Sequence, residues 1–190
     1  MSVLAVTTFL ALLALGAGFA VLVTLTFIAL DRTGVVTGMM DGLRAAVRPV
    51  ALWLAFAVAA VSMAGSLYLS EVAGFVPCAL CWYQRIAMYP LVVILGIAAI
   101  RDDPGVTRYA APVAAIGALL SIWHIGVERI PGIPSGACSL DVPCSLIYVE
   151  RFGFVTIPTM ALFGFLAILT LLLVYARGGR STQPEPESAA

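Results

Sequence analysis

Four cysteines, a single histidine and one arginine hold most of the chemistry open to this chain. Cys78 and Cys81 form the run Cys78-Ala79-Leu80-Cys81, with Pro77 before it and a mostly apolar stretch after it. A CxxC at the start of a helix suits thiol–disulfide exchange. The free N–H groups and the helix dipole stabilise a thiolate, and the short spacing lets one thiol resolve a bond made by the other. The same pattern also serves as a static disulfide or as half of a four-cysteine metal site. Cys138 and Cys144 flank Ser139-Leu140-Asp141-Val142-Pro143, in a stretch with Pro131, Gly132, Pro134, Ser135 and Gly136. That composition predicts a mobile, exposed loop where a protein partner can reach a disulfide. Alone, the pair reads as structural; in the company of a CxxC it reads as a second redox pair.

Arg85 follows Cys81 by four residues and so shares its helix face. Its guanidinium can steady a thiolate at Cys81 and donate to a carbonyl oxygen of a bound molecule. The plainer alternative is an interfacial arginine whose head snorkels to water. His124, beside Trp123, can donate to a ligand oxygen or assist proton uptake, or simply be satisfied by water and headgroups. Electrons leaving a dithiol need an acceptor, and the chain has neither a haem-attaching CxxCH nor a GxGxxG fingerprint. A lipid-soluble quinone, ubiquinone or menaquinone, is the acceptor suited to the membrane edge; no resident metal is expected.

The elements that position these residues follow from composition. Of 190 residues 62% are apolar and 11% charged, against roughly 45–50% and about 25% in a soluble domain, which excludes an ordinary water-soluble protein. Ten arginines, with no lysine, balance ten acids, so no basic field points to nucleic acid. The apolar residues fall in five blocks: Met1 to Leu30, Pro49 to Ser70, Ile86 to Ile100, Tyr109 to Val127 and Phe152 to Ala176. Each is read as a membrane-spanning helix, because a bilayer core of about 30 Å takes roughly 20 apolar residues. The third block is short at about 22 Å for fifteen residues, so that helix is expected to start back at Cys81, with Arg85 about one turn inside the bilayer edge. An arginine there is a functional candidate.

Arginine counts set the orientation. Arg32, Arg44, Arg48, Arg101, Arg108, Arg177 and Arg180 fall on one side, and Arg85, Arg129 and Arg151 on the other. The first set is expected in the cytoplasm, which puts the N-terminus and all four cysteines on the extracytoplasmic face of the plasma or inner membrane, where disulfides persist. The first block lacks the basic start of a signal peptide and reads as a retained helix. The expected organisation is an N-terminal helix over 1–30, a cytoplasmic linker over 31–48, a four-helix redox bundle over 49–176 and a disordered cytoplasmic tail over 177–190.

The run from Val76 to Pro90, Val-Pro-Cys-Ala-Leu-Cys-Trp-Tyr-Gln-Arg-Ile-Ala-Met-Tyr-Pro, resembles the hallmark of the DsbB family of membrane disulfide-bond formation proteins. Trp123-His124-Ile125 and the run Phe152 to Pro158 are similar to its short-loop BdbC-type branch, and the likeness covers about Ala51 to Ala176. It implies an all-α four-helix transmembrane bundle, to which the first helix is extra. It also implies a quinone-dependent thiol oxidase that reoxidises a DsbA-like thioredoxin-fold protein. By the resemblance Cys138 is attacked by the partner's thiolate and Cys144 is its mate; the exchange then reaches Cys78, while Cys81, supported by Arg85, faces the quinone. A membrane reductase of the vitamin K epoxide reductase type is a neighbouring reading, disfavoured because its CxxC follows the loop cysteines. A non-enzymatic membrane protein with static disulfides or a zinc site is a third.

Overall fold

Inside lipid no water is present to bond backbone groups, so an uncharged run closes its hydrogen bonds on itself as a helix. The structure, a computed structural model, describes residues 2–33, 39–134, 136, 138 and 141–178, and for residues 32, 39–41, 44 and 177–178 the backbone alone. It contains α1 (Val3–Arg32), α2 (Met39–Leu67), α3 (Ala79–Arg101), α4 (Thr107–Arg129) and α5 (Ile157–Gly178). All five are long and apolar enough to cross a membrane. A π turn, Tyr68–Val72, continues α2, and a two-stranded antiparallel hairpin, β1 (Glu150–Arg151) and β2 (Val155–Thr156), leads into α5.

Helices α2 to α5 form a ring in which each packs on its chain neighbours and α5 closes back on α2; α1 lies outside, against α5 and α2. Without water to expel, such packing depends on close backbone approach and good fit. Ala51, Ala55 and Ala59 on α2 and Ala110, Ala114 and Ala118 on α4, spaced four apart, make flat faces into which Leu91, Leu95, Phe165, Ile168 and Leu172 fit. The tightest point is Gly117: a Cβ there would overlap the Phe165 ring. Large side chains such as Phe19, Leu22, Val93 and Ile100 point outward, as a lipid-facing surface requires.

Two boundaries differ from the sequence reading. Helix α2 begins at Met39, so most of the expected 31–48 linker is helical and Pro49 lies inside the helix. Charge marks where lipid ends, whereas helical hydrogen bonding continues beyond it; Arg48 packs its guanidinium 5.6 Å from the Tyr175 ring centre. At the other end, α5 starts at Ile157 and not Phe152. Phe152 and Gly153 adopt positive φ values of 54° and 77°, which turns the hairpin, and Pro158 suits the first turn of the helix that follows. The expected disordered tail lies outside the described residues beyond 178.

Candidate redox site

Cys78 is the N-cap of α3: its sulfur accepts the Cys81 N–H at 3.3 Å, and its carbonyl accepts the first helical bond, from Trp82. Pro77 before it and the helix after it thus put both sulfurs at a helix N-terminus, with Cys78 Sγ and Cys81 Sγ 2.9 Å apart. Cys138 and Cys144 are joined as a disulfide. Cys78 and Cys144 are buried, 5% and 2% exposed, and share one small core with Leu80 and Val127. Cys81 and Cys138 are only half-buried. Each pair therefore has one cysteine buried in the shared core and one packed at its edge. The loop is exposed at Pro131, Gly132, Pro134, Gly136, Asp141 and Pro143, as the sequence predicted, but Cys144 itself is buried, with Ile133 and Val142 packed against the core it shares with Cys78.

His124 stands between the pairs. Its Nε2 is 3.6 Å from Cys78 Sγ and 3.1 Å from the Cys144 carbonyl oxygen, and its Nδ1 is 3.4 Å from Gln84 Oε1. Gln84 is oriented in turn, since its amide N–H donates to Ser121 Oγ at 2.8 Å, and Ser121 donates to the Gly117 carbonyl. This leaves Oε1 to accept from Nδ1–H and Nε2 bare, able to take a proton from Cys78 and, once protonated, to donate to the Cys144 carbonyl. The sequence reading gave His124 either a ligand oxygen or a part in proton uptake; the structure places it, 2% exposed, at the junction of the two pairs.

Arg85 lies on the other side of Cys81. Its Nε donates to Ser66 Oγ and its Nη2 to the Ser66 carbonyl, both at 2.9 Å, and its guanidinium sits 5.2 Å from the Trp82 ring centre. Tyr89 also donates to Ser66 Oγ. The sequence reading had Arg85 hold down a Cys81 thiolate; here its described hydrogen bonds go to α2, and Arg85 and Cys81 line one cavity side by side. The better-stabilised thiolate belongs to Cys78. The hydrogen bond from the Cys81 thiol pulls the Cys78 thiol well below its ordinary value, against the cost of burial, and His124 and the Cys81 N–H add to the effect.

Sequence reasoning missed Gln84, Ser66, Ser121 and Glu128. Glu128, one turn beyond His124, accepts from Thr156 Oγ1 at 2.7 Å and borders the small cleft that Cys78 and His124 share. The only local signal was polarity in apolar runs: Gln84 follows Cys81 by three residues and Glu128 follows His124 by four.

The donor atoms of Cys78, Cys81 and His124 lie within 4.8 Å of one another, a spacing that would suit a thiophilic ion. A four-thiolate zinc site is not assembled, because Cys138 and Cys144 are bonded to each other.

Paired cysteines at a helix cap, facing a second pair across a histidine inside a transmembrane bundle, suit disulfide transfer, and residues 48–174 match the model of the family described as disulfide bond formation protein DsbB. The chain belongs to the DsbB family. It is 50% identical over 127 residues to disulfide bond formation protein C of Bacillus subtilis, covering 66% of this chain and 91% of the relative. It is 47% identical over 132 residues to a probable disulfide formation protein of Oceanobacillus iheyensis, covering 68% and 91%. A probable disulfide formation protein of Coxiella burnetii is 43% identical over 127 residues, covering 66% and 86%. No solved structure matches the chain. The DsbB-family match starts at residue 48 and so leaves α1 outside it. Membership makes this a multi-pass membrane protein of disulfide-bond formation, a thiol–disulfide oxidoreductase.

Proposed function

We propose that this protein oxidises an extracytoplasmic DsbA-like thioredoxin-fold partner and delivers the electrons to a membrane quinone. The observation that carries the reading is the division of labour among the cysteines: Cys78 and Cys144 buried in one core, Cys138 and Cys81 half-buried at its edge, and Cys81, unlike Cys78, lining a cavity of about 490 Å³. That volume lies within the range of roughly 300–1,000 Å³ for ligand pockets. Its Cys81 end is polar, with Arg85 and Gln84, and the remainder is apolar, which fits a ring with carbonyl oxygens attached to a hydrocarbon tail. A quinone bound there supplies an acceptor for two electrons and two protons.

The protein's own steps follow by thiolate attack on sulfur. A partner thiolate attacks Cys138 and releases Cys144 as thiolate; the partner's second thiol then resolves the mixed disulfide, and the partner leaves oxidised. The Cys144 thiolate attacks Cys78 of a Cys78–Cys81 disulfide, releasing the Cys81 thiolate, and Cys138 resolves that bond. The result is a restored Cys138–Cys144 disulfide and a Cys78/Cys81 dithiol carrying the two electrons. When that dithiol gives up its electrons, His124 takes the Cys78 proton through Nε2 while Gln84 holds the ring, and Arg85 offers N–H groups to the cavity. The seven-to-three arginine asymmetry supports cysteines outside the cytoplasm.

The test is the purified protein in lipid nanodiscs, given reduced DsbA-like partner and quinone. Quinone consumption equal to partner oxidation is expected; partner oxidation with no quinone consumed would overturn the reading. A membrane-impermeant maleimide applied to intact cells after mild reduction should label the cysteines, and protection of all four would reverse the orientation.

A further inference from the structure

The cavity that receives Cys81 and Arg85 extends well past the redox groups. Its α2 wall runs from Leu69 to Leu54 and its α1 wall from Leu10 to Thr24. At a rise of about 1.5 Å per residue each wall is roughly 20 Å long, some two thirds of a bilayer core of about 30 Å. A volume of about 490 Å³ spread over that length makes a narrow slot. Its polar groups gather at the sulfur end. At the far end the hydroxyls of Thr24 and Thr170 are turned back onto their own helices, donating to the carbonyls of Ala20 and Leu166 at 2.8 Å, so the lining there is effectively hydrocarbon.

One long side of this slot is α1, the helix outside the family match. It is seated by specific contacts at both levels. Leu10 lies over Gly65, where a Cβ would come within 3.0 Å of its methyl groups, and the Phe163 ring lies against Gly18, where the corresponding distance is 3.1 Å. Arg151 of β1 donates to the buried Thr7 Oγ1 through Nη2 at 2.8 Å and Nε at 3.2 Å. Gly65 adjoins Ser66, the residue that holds Arg85, so α1 is braced against the part of α2 that forms the mouth.

We propose that α1 closes the groove between α2 and α5 into a tunnel for the tail of a long-tailed quinone, and that residues of α1 facing the slot determine which tail lengths are accepted. The proposal rests on the quinone reading above. Its physical basis is steric: a tail leaving lipid for protein gains little from transfer, because lipid is as apolar as the slot. What the slot supplies is a path. With α1 covering the groove, a ring at Arg85 requires its tail to run past Ala17 and Ala20.

The test is equilibrium binding in nanodiscs, read by quenching of tryptophan fluorescence, with a tail-less quinone and one bearing a long polyisoprenoid tail. Ala17→Phe, which fills the slot midway, is expected to raise the Kd for the long-tailed quinone about tenfold or more and to change that for the tail-less ring less than about twofold. Leu12→Phe, on the lipid face of α1 at 54% exposure, should alter neither. Equal effects of Ala17→Phe on both quinones, or none on the long-tailed one, would overturn the role of α1; the latter is the result expected if a lipid acyl chain fills the slot instead. Should Ala17→Phe fail to fold, Ala20→Leu makes the same test with a smaller intrusion. Wild-type protein that binds neither quinone would sink the quinone reading itself, a distinct outcome.

Discussion

The two cysteine pairs solve the same problem with different supports. Cys78 and Cys81 sit on the first turn of a 23-residue helix, where the backbone presents an N–H to sulfur and the spacing is set by helical geometry. Cys138 and Cys144 lie in a loop, held by their own bond and by a small core with Leu80 of α3 and Val127 of α4, against which Ile133 and Val142 also pack. The rigid pair can hold a thiolate and aim a sulfur at a fixed cavity; the loop pair can meet a partner of another shape and still return Cys144 to the core. Transfer between them needs one buried sulfur from each, and His124 stands between those two cysteines, within reach of Cys78 Sγ.

Substitutions can break this contrast. The largest effect is expected from Cys81→Ser: quinone reduction abolished, measured as loss of quinone absorbance, because the rigid pair can no longer form its disulfide. Cys144→Ser should leave Cys138 linked to the partner, seen as a stable mixed disulfide on non-reducing gels; a partner linked only to Cys78 would exchange the roles of the two pairs. His124→Phe should slow oxidation of the Cys78/Cys81 dithiol by quinone by about a hundredfold, within the range of roughly 10²–10⁴ for a positioned proton acceptor, in stopped-flow quinone absorbance.

The lowered Cys78 value also has a pH signature. A thiol titrating below its ordinary range is still thiolate when an unperturbed one, with a value of about 8.5, has become protonated. Alkylation of Cys78 by iodoacetamide should therefore stay fast as pH falls through neutrality. His124→Phe should move that profile to higher pH, and Cys81→Ala should move it further, since the Cys81 hydrogen bond is the larger cause. The smallest effect is expected from Ser66→Ala, which removes one anchor of Arg85 at a cost of about 1 kcal/mol, read as a several-fold weaker quinone affinity with disulfide exchange between the pairs unchanged.

Five spans and two cysteine pairs could be read from the chain because both are local: charge ends an apolar run, and CxxC needs only four consecutive residues. Helix ends at Met39 and Ile157 were less legible. The first continues past the lipid without any change that a charge count detects, and the second is deferred by the positive φ values at Phe152 and Gly153. The partners of His124 and Arg85 were not legible at all. Gln84 lies 40 residues from His124, and Ser66 lies 19 from Arg85, so only the helix ring brings them together. Sequence spacing puts Arg85 beside Cys81, but the guanidinium's described hydrogen bonds go to α2.

The seating of α1 outside the ring separates two properties that most enzymes entangle. The sulfurs and their proton relay reside on α3, α4 and one loop, while the far reach of the slot is shared with a helix that contributes nothing to electron transfer. Exchanging side chains on the inner face of α1 would then alter which membranes, with which quinone pools, this protein can serve, and would leave its redox centre as it is. On the proposed reading, α1 is an adaptor fitted at the edge of the redox bundle.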